Sequence, residues 1–202
     1  MRTSSSTRLH LGCFDRPVDG WLNTDVTPHL RIAQIPFLPR LLRKVGAISE
    51  ERAEQHERGV FRAVHYLDVT RPFPYDSGHF EAVFCSHLLE HLFPGEAESC
   101  AKEVFRVLRS GGIFRVSVPD LDRCVAEFDA GDPDAFCDGV FESRQRRNKN
   151  QHHWMYNALS MSRLLQRAGF ENVRRVEFQV GDCPDLERLD NRPHSLFMEA
   201  TK

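Results

Sequence analysis

Three apolar segments, each ending in small or polar residues, constrain the fold of this chain more than any other feature. They are residues 9–14 (LHLGCF) with Asp25 downstream, residues 80–92 (FEAVFCSHLLEHL) and residues 103–120 (EVFRVLRSGGIFRVSVPD). Each pattern is typical of a buried strand that meets a loop or a helix. Because an open α/β sheet forms its ligand crevice at strand ends, the segments predict a binding site at one edge of a sheet.

Strands and helices alternate along the whole chain, which favours an α/β sheet with helices on both faces. The predicted strands are residues 8–12, 21–25, 64–68, 80–86, 113–118, 173–180 and 195–200, and the predicted helices are residues 28–43, 49–58, 96–109, 121–128, 133–141 and 159–168. The turn-rich segment 13–20 is too short for a crossover helix between the first two strands. We expect the Arg-, Pro- and Leu-rich segment 28–60 to be a helical insertion that covers or flanks the ligand like a lid.

Composition indicates one globular domain, residues 1–202, which is long enough to bury a full core. No apolar run approaches the ~20 residues that a membrane span needs. The N-terminus also lacks the long apolar stretch of a signal peptide. A formal net charge of −2 argues against a general nucleic-acid binder. We therefore expect neither a membrane partner nor a nucleic-acid partner.

The cysteines favour a reducing compartment. The chain has six, without a Cys-x-x-Cys pair: Cys13, Cys85, Cys100, Cys124, Cys137 and Cys183. Several lie in apolar segments, where a thiol behaves as a small hydrophobic side chain. The pattern predicts a cytoplasmic protein without a disulfide framework or a zinc knuckle.

At this order and spacing the three segments resemble the class I S-adenosylmethionine-dependent methyltransferases. Residues 20–25 (GWLNTD) match the Gly-Trp-(Leu/Ile)-Asn-x-Asp pattern of a small bacterial, type-11-like group, and residues 87–91 (HLLEH) match its His-x-Leu-Glu-His pattern. Residues 106–112 resemble the family's Arg-Val-Leu-x-x-Gly-Gly turn. The resemblance covers nearly the whole chain. It implies a Rossmann-like sheet of seven strands in the order 3-2-1-4-5-7-6, with the last strand antiparallel, and S-adenosylmethionine as the cofactor.

The resemblance also implies a cofactor site at the ends of the first four strands. Gly12 follows the first strand, but Phe14 stands where the family has a second glycine, so we expect weakened cofactor binding. Asp25 would accept the ribose hydroxyl protons, and Asp68 would accept from the adenine amino group. The candidate cofactor-binding residues are Gly12, Cys13, Phe14, Asp25, Asp68, Val69, Cys85, Ser86 and His87.

Methyl transfer to a hydroxyl requires a nucleophile held in line and a base that removes its proton. Histidine is the commonest base near neutral pH. The resemblance places His87, His91, His152 and His153 on the acceptor side, and the candidate catalytic residues are His91, His153 and His87. The Asn-Pro-Pro-Tyr signature of many amino-group methyltransferases is absent after the fourth strand. We therefore expect O-methylation of a small molecule, a sugar or a glycan.

A helix that begins near His87 would place His87, Glu90 and His91 on one face. Some relatives that methylate hydroxyls hold a divalent metal with a Glu-x-x-Glu-His cluster and a later histidine, here His152 or His153. This nitrogen-rich set would favour a transition metal over magnesium. Alternatively, His91 or His153 is a metal-free base, or Glu90 and His91 only brace the helix. Because these alternatives stay open, we predict no metal-ligating residue.

Two other classes of protein stay open. The first is a catalytically impaired methyltransferase fold that binds a cofactor or a partner, which Phe14 and the missing first helix support. The second is an α/β oxidoreductase, which is disfavoured because no G-x-G-x-x-G motif can be written here. A basic cluster could meet a phosphate or a nucleotide sugar, although such runs are usually solvated loops. It consists of Arg144, Arg146, Arg147 and Lys149.

Overall fold

The computed structural model describes residues 6–141 and 151–202. Its strands are β1 (Arg8–Leu11), β2 (Leu22–Asp25), β3 (Val64–Tyr66), β4 (Phe80–Ser86), β5 (Leu108–Pro119), β6 (Glu171–Val176) and β7 (Ser195–Thr201). They form one sheet in the order β3-β2-β1-β4-β5-β7-β6. β1 to β5 pair in parallel, whereas β7 is antiparallel to β5 and β6. The predicted strand order and the antiparallel last strand are confirmed.

Helices cover both faces of this sheet. They are α1 (His29–Ile32), α2 (Leu38–Lys44), α3 (Glu50–Glu57), α4 (Pro94–Val107), α5 (Leu121–Ala126), α6 (Pro133–Phe141), α7 (Ala158–Ala168) and α8 (Leu186–Leu189). The larger core joins the sheet to α4 and α7, whose apolar side chains recur at helical spacing. A smaller core joins the opposite face to α8 and Trp21. The predicted α/β class is therefore confirmed.

The connection between β1 and β2 contains turns and no helix, as its length predicted. Asn23 fixes these turns: its amide Oδ1 accepts from Val18 N (2.9 Å), and its Nδ2 donates to the carbonyls of Val18 and Trp21 (both 3.0 Å). Trp21 is buried and meets Phe84 edge to face. Asn23 and Trp21 of the GWLNTD segment thus have structural roles, since Asn23 holds the turns between β1 and β2 together and Trp21 packs against Phe84.

Several predicted element boundaries differ from the structure: β5 begins at Leu108 rather than residue 113, and β6 spans Glu171–Val176 rather than 173–180. The predicted helix 28–43 is divided into α1 and α2, because the ring of Pro36 disfavours helical backbone in the preceding residue and Phe37 has a φ of 64°. The predicted helix 96–109 ends at Val107, since Leu108 already pairs with Phe80 in the sheet. Within the described residues, no helix is long and apolar enough to cross a membrane.

Candidate functional site

The carboxyl ends of the five parallel strands lie at one edge of the sheet. The strand order reverses at β1, which lies between β2 and β4. An open α/β sheet binds its ligand at such a switch point. The segments that follow β1, β2, β3 and β4 therefore form the candidate cofactor site.

The loop after β1 contains two residues with left-handed backbone. Gly12 has a φ of 65°, and a Cβ atom there would lie 3.2–3.4 Å from the side chain of Leu88. Phe14 has a φ of 46°, which costs a non-glycine residue of order 1–3 kcal/mol. Between them, Cys13 is buried and its N–H donates to Thr24 O (3.0 Å). Phe14 thus adopts a conformation that would suit the glycine of the family pattern.

Asp25, at the end of β2, is hydrogen-bonded to the same loop. Its Oδ2 accepts from the N–H of Phe14 (3.0 Å) and its Oδ1 from the N–H of Thr27 (2.7 Å). A carboxylate offers about four lone-pair sites, so two bonds leave capacity for a ligand's hydroxyl groups. The geometry therefore fits both a structural role and the predicted contact with ribose.

Asp68 and Val69 follow β3 by two and three residues. The Asp68 carboxylate accepts from the hydroxyl (2.6 Å) and N–H (3.0 Å) of Thr70 and from Arg71 Nε (3.1 Å). The bond from the Thr70 hydroxyl is the main cause that lowers the pKa of Asp68. Val69 is buried beside it. This carboxylate is held as an anion and can accept from an amino group.

The segment 28–60 packs against the loop after β1. The guanidinium carbon of Arg52 lies 4.5 Å from the ring centroid of Phe14. Arg52 Nη1 and Gln55 Nε2 donate to Asp15 Oδ2 at 2.9 and 3.0 Å. Helix α3 is therefore anchored to the residue that follows Phe14, and a lid-like role of this segment stays a prediction.

The end of β4 changes from apolar to polar within three residues. Cys85 is fully buried, and burial raises the pKa of its thiol well above the usual value, so it acts as an unreactive wall. Ser86 Oγ accepts from Ser117 Oγ (2.9 Å). His87 then adopts a φ of 50°, and its Nε2 lies 2.8 Å from Ser195 Oγ. Ser86 and His87 are thus only partly buried, whereas Cys85 lies in the core.

No helix begins at His87, so the shared helical face considered for His87, Glu90 and His91 does not form. Residues Leu89–His91 form one 3-10 turn, and α4 begins only at Pro94 because residues before a proline avoid helical backbone. His87 and Glu90 nevertheless meet, with His87 Nδ1 3.1 Å from Glu90 Oε1. Arg192 Nη1 lies equally close to this nitrogen, at 3.1 Å. The nitrogen can donate to the carboxylate or accept from the guanidinium, but not both.

Glu90 is the most unusual side chain of the site. Its exposed fraction is 0%, and apart from the 3.1 Å approach of His87 Nδ1 to Oε1, neither carboxylate oxygen has a hydrogen-bond partner among the described residues. The Tyr156 hydroxyl is also buried without a described hydrogen-bond partner, and burial together with Glu90 raises its pKa to about 12. Buried carboxylates normally have partners, since desolvating an unpaired charge is costly. These groups therefore indicate a position for a polar or charged ligand.

The rings of His152 and His153 have different surroundings: the first is buried and the second exposed. The N–H groups of His153 and Trp154 donate to the Glu90 carbonyl at 2.7 and 3.1 Å. The ring of His152 is buried, 5.1 Å from the ring of His91. The ring of His153 is exposed and stacks on Phe93 at 4.3 Å. The structure thus brings His152, rather than His153, to Glu90 and His91.

Glu90, His91 and His152 together form a donor set that fits a divalent cation. One potential ligand atom from each lies within 4.8 Å of the others. His91 Nδ1 is 3.3 Å from Gln151 O and His152 Nδ1 is 3.1 Å from Val140 O. Because a carbonyl only accepts, each Nδ1 carries the proton and each Nε2 presents its lone pair. Metal-ligating histidines usually donate their other N–H to a carbonyl in this way.

Sequence reasoning missed three residues beside this cluster: Ser195, Arg192 and Tyr156. Ser195 begins β7 and pairs with Pro119, the last residue of β5, so it reaches the same edge of the sheet. The predicted strand order contained this information. Arg192 and Tyr156 lie in connections, where no sequence signal marks their position. The basic cluster of Arg144, Arg146, Arg147 and Lys149 lies outside the described residues.

Residues 43–116 match a family model described as a methyltransferase domain. The chain is 27% identical, over 131 residues, to an uncharacterized methyltransferase of Synechocystis sp.; the match covers 65% of this chain and 57% of that relative. The fold is similar to a SAM-dependent methyltransferase of Methanosarcina mazei (TM-score 0.55, 13% identity, 96% and 91% coverage). It is also similar to one of Thermotoga maritima, described as a possible histamine N-methyltransferase (TM-score 0.54, 14% identity, 96% and 81% coverage).

The sequence comparisons and the structural comparisons both indicate a methyltransferase. The structural likeness establishes the fold, and the match of residues 43–116 is to a methyltransferase domain. Together they confirm the predicted resemblance to the class I S-adenosylmethionine-dependent methyltransferases. They also support S-adenosylmethionine as the cofactor, which the geometry of Gly12 and Asp25 can accommodate.

Proposed function

We propose that the protein transfers the methyl group of S-adenosylmethionine to a hydroxyl oxygen of a small-molecule, sugar or glycan acceptor. The observation that carries this proposal is the buried Glu90 carboxylate beside His87 and His91, directly after β4. A hydroxyl must lose a proton during transfer, and this cluster supplies imidazole groups next to a fixed negative charge. Free cysteines, four of them buried, favour our proposal of a cytoplasmic location.

His87 is the first candidate for the base. When its Nδ1–H donates to Glu90, its Nε2 presents a lone pair toward the position of Ser195 Oγ. S-adenosylmethionine would supply a sulfonium methyl, and His87 would take the hydroxyl proton as the methyl group moved from sulfur to oxygen. The Glu90 carboxylate would then stabilise the imidazolium, as a buried carboxylate does in other carboxylate–histidine pairs.

His91 and His153 are the other candidates. His91 holds its Nδ1–H on Gln151 O, so its Nε2 can accept a proton or bind a cation. A divalent cation held by Glu90, His91 and His152 would, when present, lower the pKa of a bound hydroxyl. His153 lies exposed at the rim, where it can contact only an acceptor that reaches Phe93. We therefore rank His153 behind the other two.

Two measurements test the proposal. Calorimetry with S-adenosylmethionine, S-adenosylhomocysteine and NAD should show binding of the first two only; silence at millimolar ligand would exclude a methyltransferase. Incubation with hydroxyl and amine acceptors, with S-adenosylhomocysteine quantified by mass spectrometry, should give turnover on hydroxyls. Turnover on amines alone would overturn O-methylation. Cofactor binding without turnover on any acceptor would instead favour the binding-module alternative.

A further inference from the structure

Two groups compete for Nδ1 of His87. Arg192 Nη1 lies 3.1 Å from this nitrogen with the geometry of a hydrogen bond. Glu90 Oε1 lies equally close, at 3.1 Å, but is left without a hydrogen bond in the described chain. Because a guanidinium can only donate, Nδ1 here carries a lone pair, and the proton of the neutral ring is on Nε2. This N–H then donates to Ser195 Oγ, 2.8 Å away.

This arrangement holds His87 in the tautomer that cannot accept a proton. A base needs an available lone pair, but Arg192 occupies the one on Nδ1 and Nε2 already carries hydrogen. The opposite tautomer, with Nδ1–H on Glu90 and the lone pair on Nε2, requires Arg192 to leave. Release of Arg192 is therefore the change that would make His87 a base.

Arg192 differs from the neighbouring arginines at this edge of the sheet. Arg123 and Arg175 each pair with a carboxylate, at 2.8 and 3.0 Å. No described carboxylate pairs with Arg192, whose side chain is exposed and whose guanidinium contacts His87 Nδ1. A guanidinium forms stronger, bidentate hydrogen bonds with a carboxylate or a phosphate. An anionic group that reaches Arg192 would therefore draw it away from His87.

A cavity beside Ser195 offers room for the rest of such a molecule. Its volume is about 280 Å³, and Ser195 and His194 line it close to Arg192 in the chain. Its charged lining residues are two cations and two anions: Arg123, Arg175, Asp120 and Glu177. Because these charges balance, a preference for anions would come from Arg192. The volume is near the lower end for small-molecule sites and suits a single sugar or a molecule of similar size.

We propose that Arg192 binds a carboxylate or phosphate group of the acceptor and that this binding frees His87 to act as the base. This role rests on the proposed methyl transfer to a hydroxyl, and it narrows the acceptor to a hydroxylated anion. As Arg192 turns to the anion, Nε2 of His87 loses its proton to solvent and Nδ1 gains one from solvent, so the ring stays neutral. Glu90 is fully buried whereas Arg192 is exposed, so the anion meets the arginine from solvent.

Nitrogen-15 NMR of the histidine rings tests the change of tautomer without turnover, and the signal lost in His87→Asn identifies His87. In the wild type without ligand, Nε2 should carry the proton. Glucuronate or glucose 6-phosphate should move it to Nδ1, and glucose should not. Arg192→Ala should have the proton on Nδ1 without any ligand. The matched control is Arg188→Ala, at an exposed position of α8, which should behave as the wild type does.

Turnover with the same three acceptors tests recognition of the anion. Arg192→Ala should lower kcat/KM for the better anionic acceptor about tenfold or more. It should leave kcat/KM for glucose unchanged or higher, and the Kd of S-adenosylmethionine within about threefold. Thermal unfolding checks that the variant is folded.

Four results would overturn the proposal. Nδ1 of His87 could carry the proton in the wild type without ligand, or neither anion could change the tautomer. Arg192→Ala could lower kcat/KM equally for charged and neutral acceptors, which would indicate a structural role. It could also weaken S-adenosylmethionine more than tenfold, which would make the cofactor's carboxylate the ligand of Arg192. Wild-type protein that methylates no hydroxyl would instead contradict the proposed function, while the tautomer would still be measured by NMR.

Discussion

The two halves of the strand-end crevice differ in how their polar side chains are satisfied. On the cofactor side, Asp25 and Asp68 already accept hydrogen bonds from neighbouring backbone and side-chain groups. On the acceptor side, the buried Tyr156 hydroxyl has no described hydrogen-bond partner, and the buried Glu90 carboxylate is approached only by His87 Nδ1 among the described residues. The first half is complete as a structure, whereas in the second Glu90 Oε2 and the Tyr156 hydroxyl would gain hydrogen bonds from a ligand. A polar group that lacks partners in the fold is the stronger indicator of chemistry.

The largest effect is expected at the acceptor side. Glu90→Gln keeps the shape of the side chain but removes its charge, so His87 loses the carboxylate that would stabilise its protonated form. We expect kcat to fall by about 10²- to 10⁴-fold, the range of general-base contributions. The assay is formation of S-adenosylhomocysteine with the best acceptor of the panel.

The control for this substitution is Glu187→Gln, at an exposed position of α8. It should leave kcat unchanged. The affinity for S-adenosylmethionine should stay within about threefold in both variants, a difference below about 0.7 kcal/mol. A Glu90→Gln variant with full activity and a native melting curve would show that Glu90 only braces the fold.

A smaller effect is expected from a bound cation. If Glu90, His91 and His152 hold a divalent metal, Mn²⁺, Co²⁺ or Zn²⁺ at about 100 times its dissociation constant should stabilise the protein by about 2.7 kcal/mol. His152→Ala should abolish this gain, and His153→Ala, whose ring stacks on Phe93, should retain it. Thermal unfolding with added metal and with EDTA measures this gain in stability. Identical melting temperatures in metal and in EDTA would contradict a metal site.

His152 and His153 also show which features of the site cannot be predicted from the sequence. The motifs located the strand ends because each is local: Gly12 and His87 follow short, mainly apolar runs, and Asp25 ends the GWLNTD segment. Whether His152 or His153 enters the site depends on how the connection before Tyr156 packs against Glu90, which no local pattern determines. The full burial of Glu90 likewise results from distant packing. The sheet order followed from the family resemblance, whereas the break at Pro36 was visible in the sequence but not used.

The next effect concerns the cofactor side. Asp25→Ala removes the acceptor for the N–H groups of Phe14 and Thr27 and for the expected ribose hydroxyls. We expect a loss of about 1–3 kcal/mol in the binding of S-adenosylmethionine, or about 5- to 150-fold in Kd by calorimetry. Asp19→Ala, at a fully exposed aspartate of the preceding turn, is the matched control and should bind normally. Equal Kd values for Asp25→Ala and wild type would assign Asp25 a purely structural role.

The smallest effect is expected at Phe14, where the backbone and the side chain act in opposite directions. Phe14→Gly relieves the left-handed strain and clears the space that the family leaves for the cofactor, but it removes the ring that Arg52 covers. An exposed cation–π contact contributes about 0.5–1 kcal/mol. We therefore expect S-adenosylmethionine to bind more tightly, by less than about tenfold. Phe14→Ala removes the same ring without relieving the backbone, so the difference in Kd between the two variants isolates the backbone contribution. Weaker binding by both variants would show that the Phe14 ring is a wall of the cofactor site.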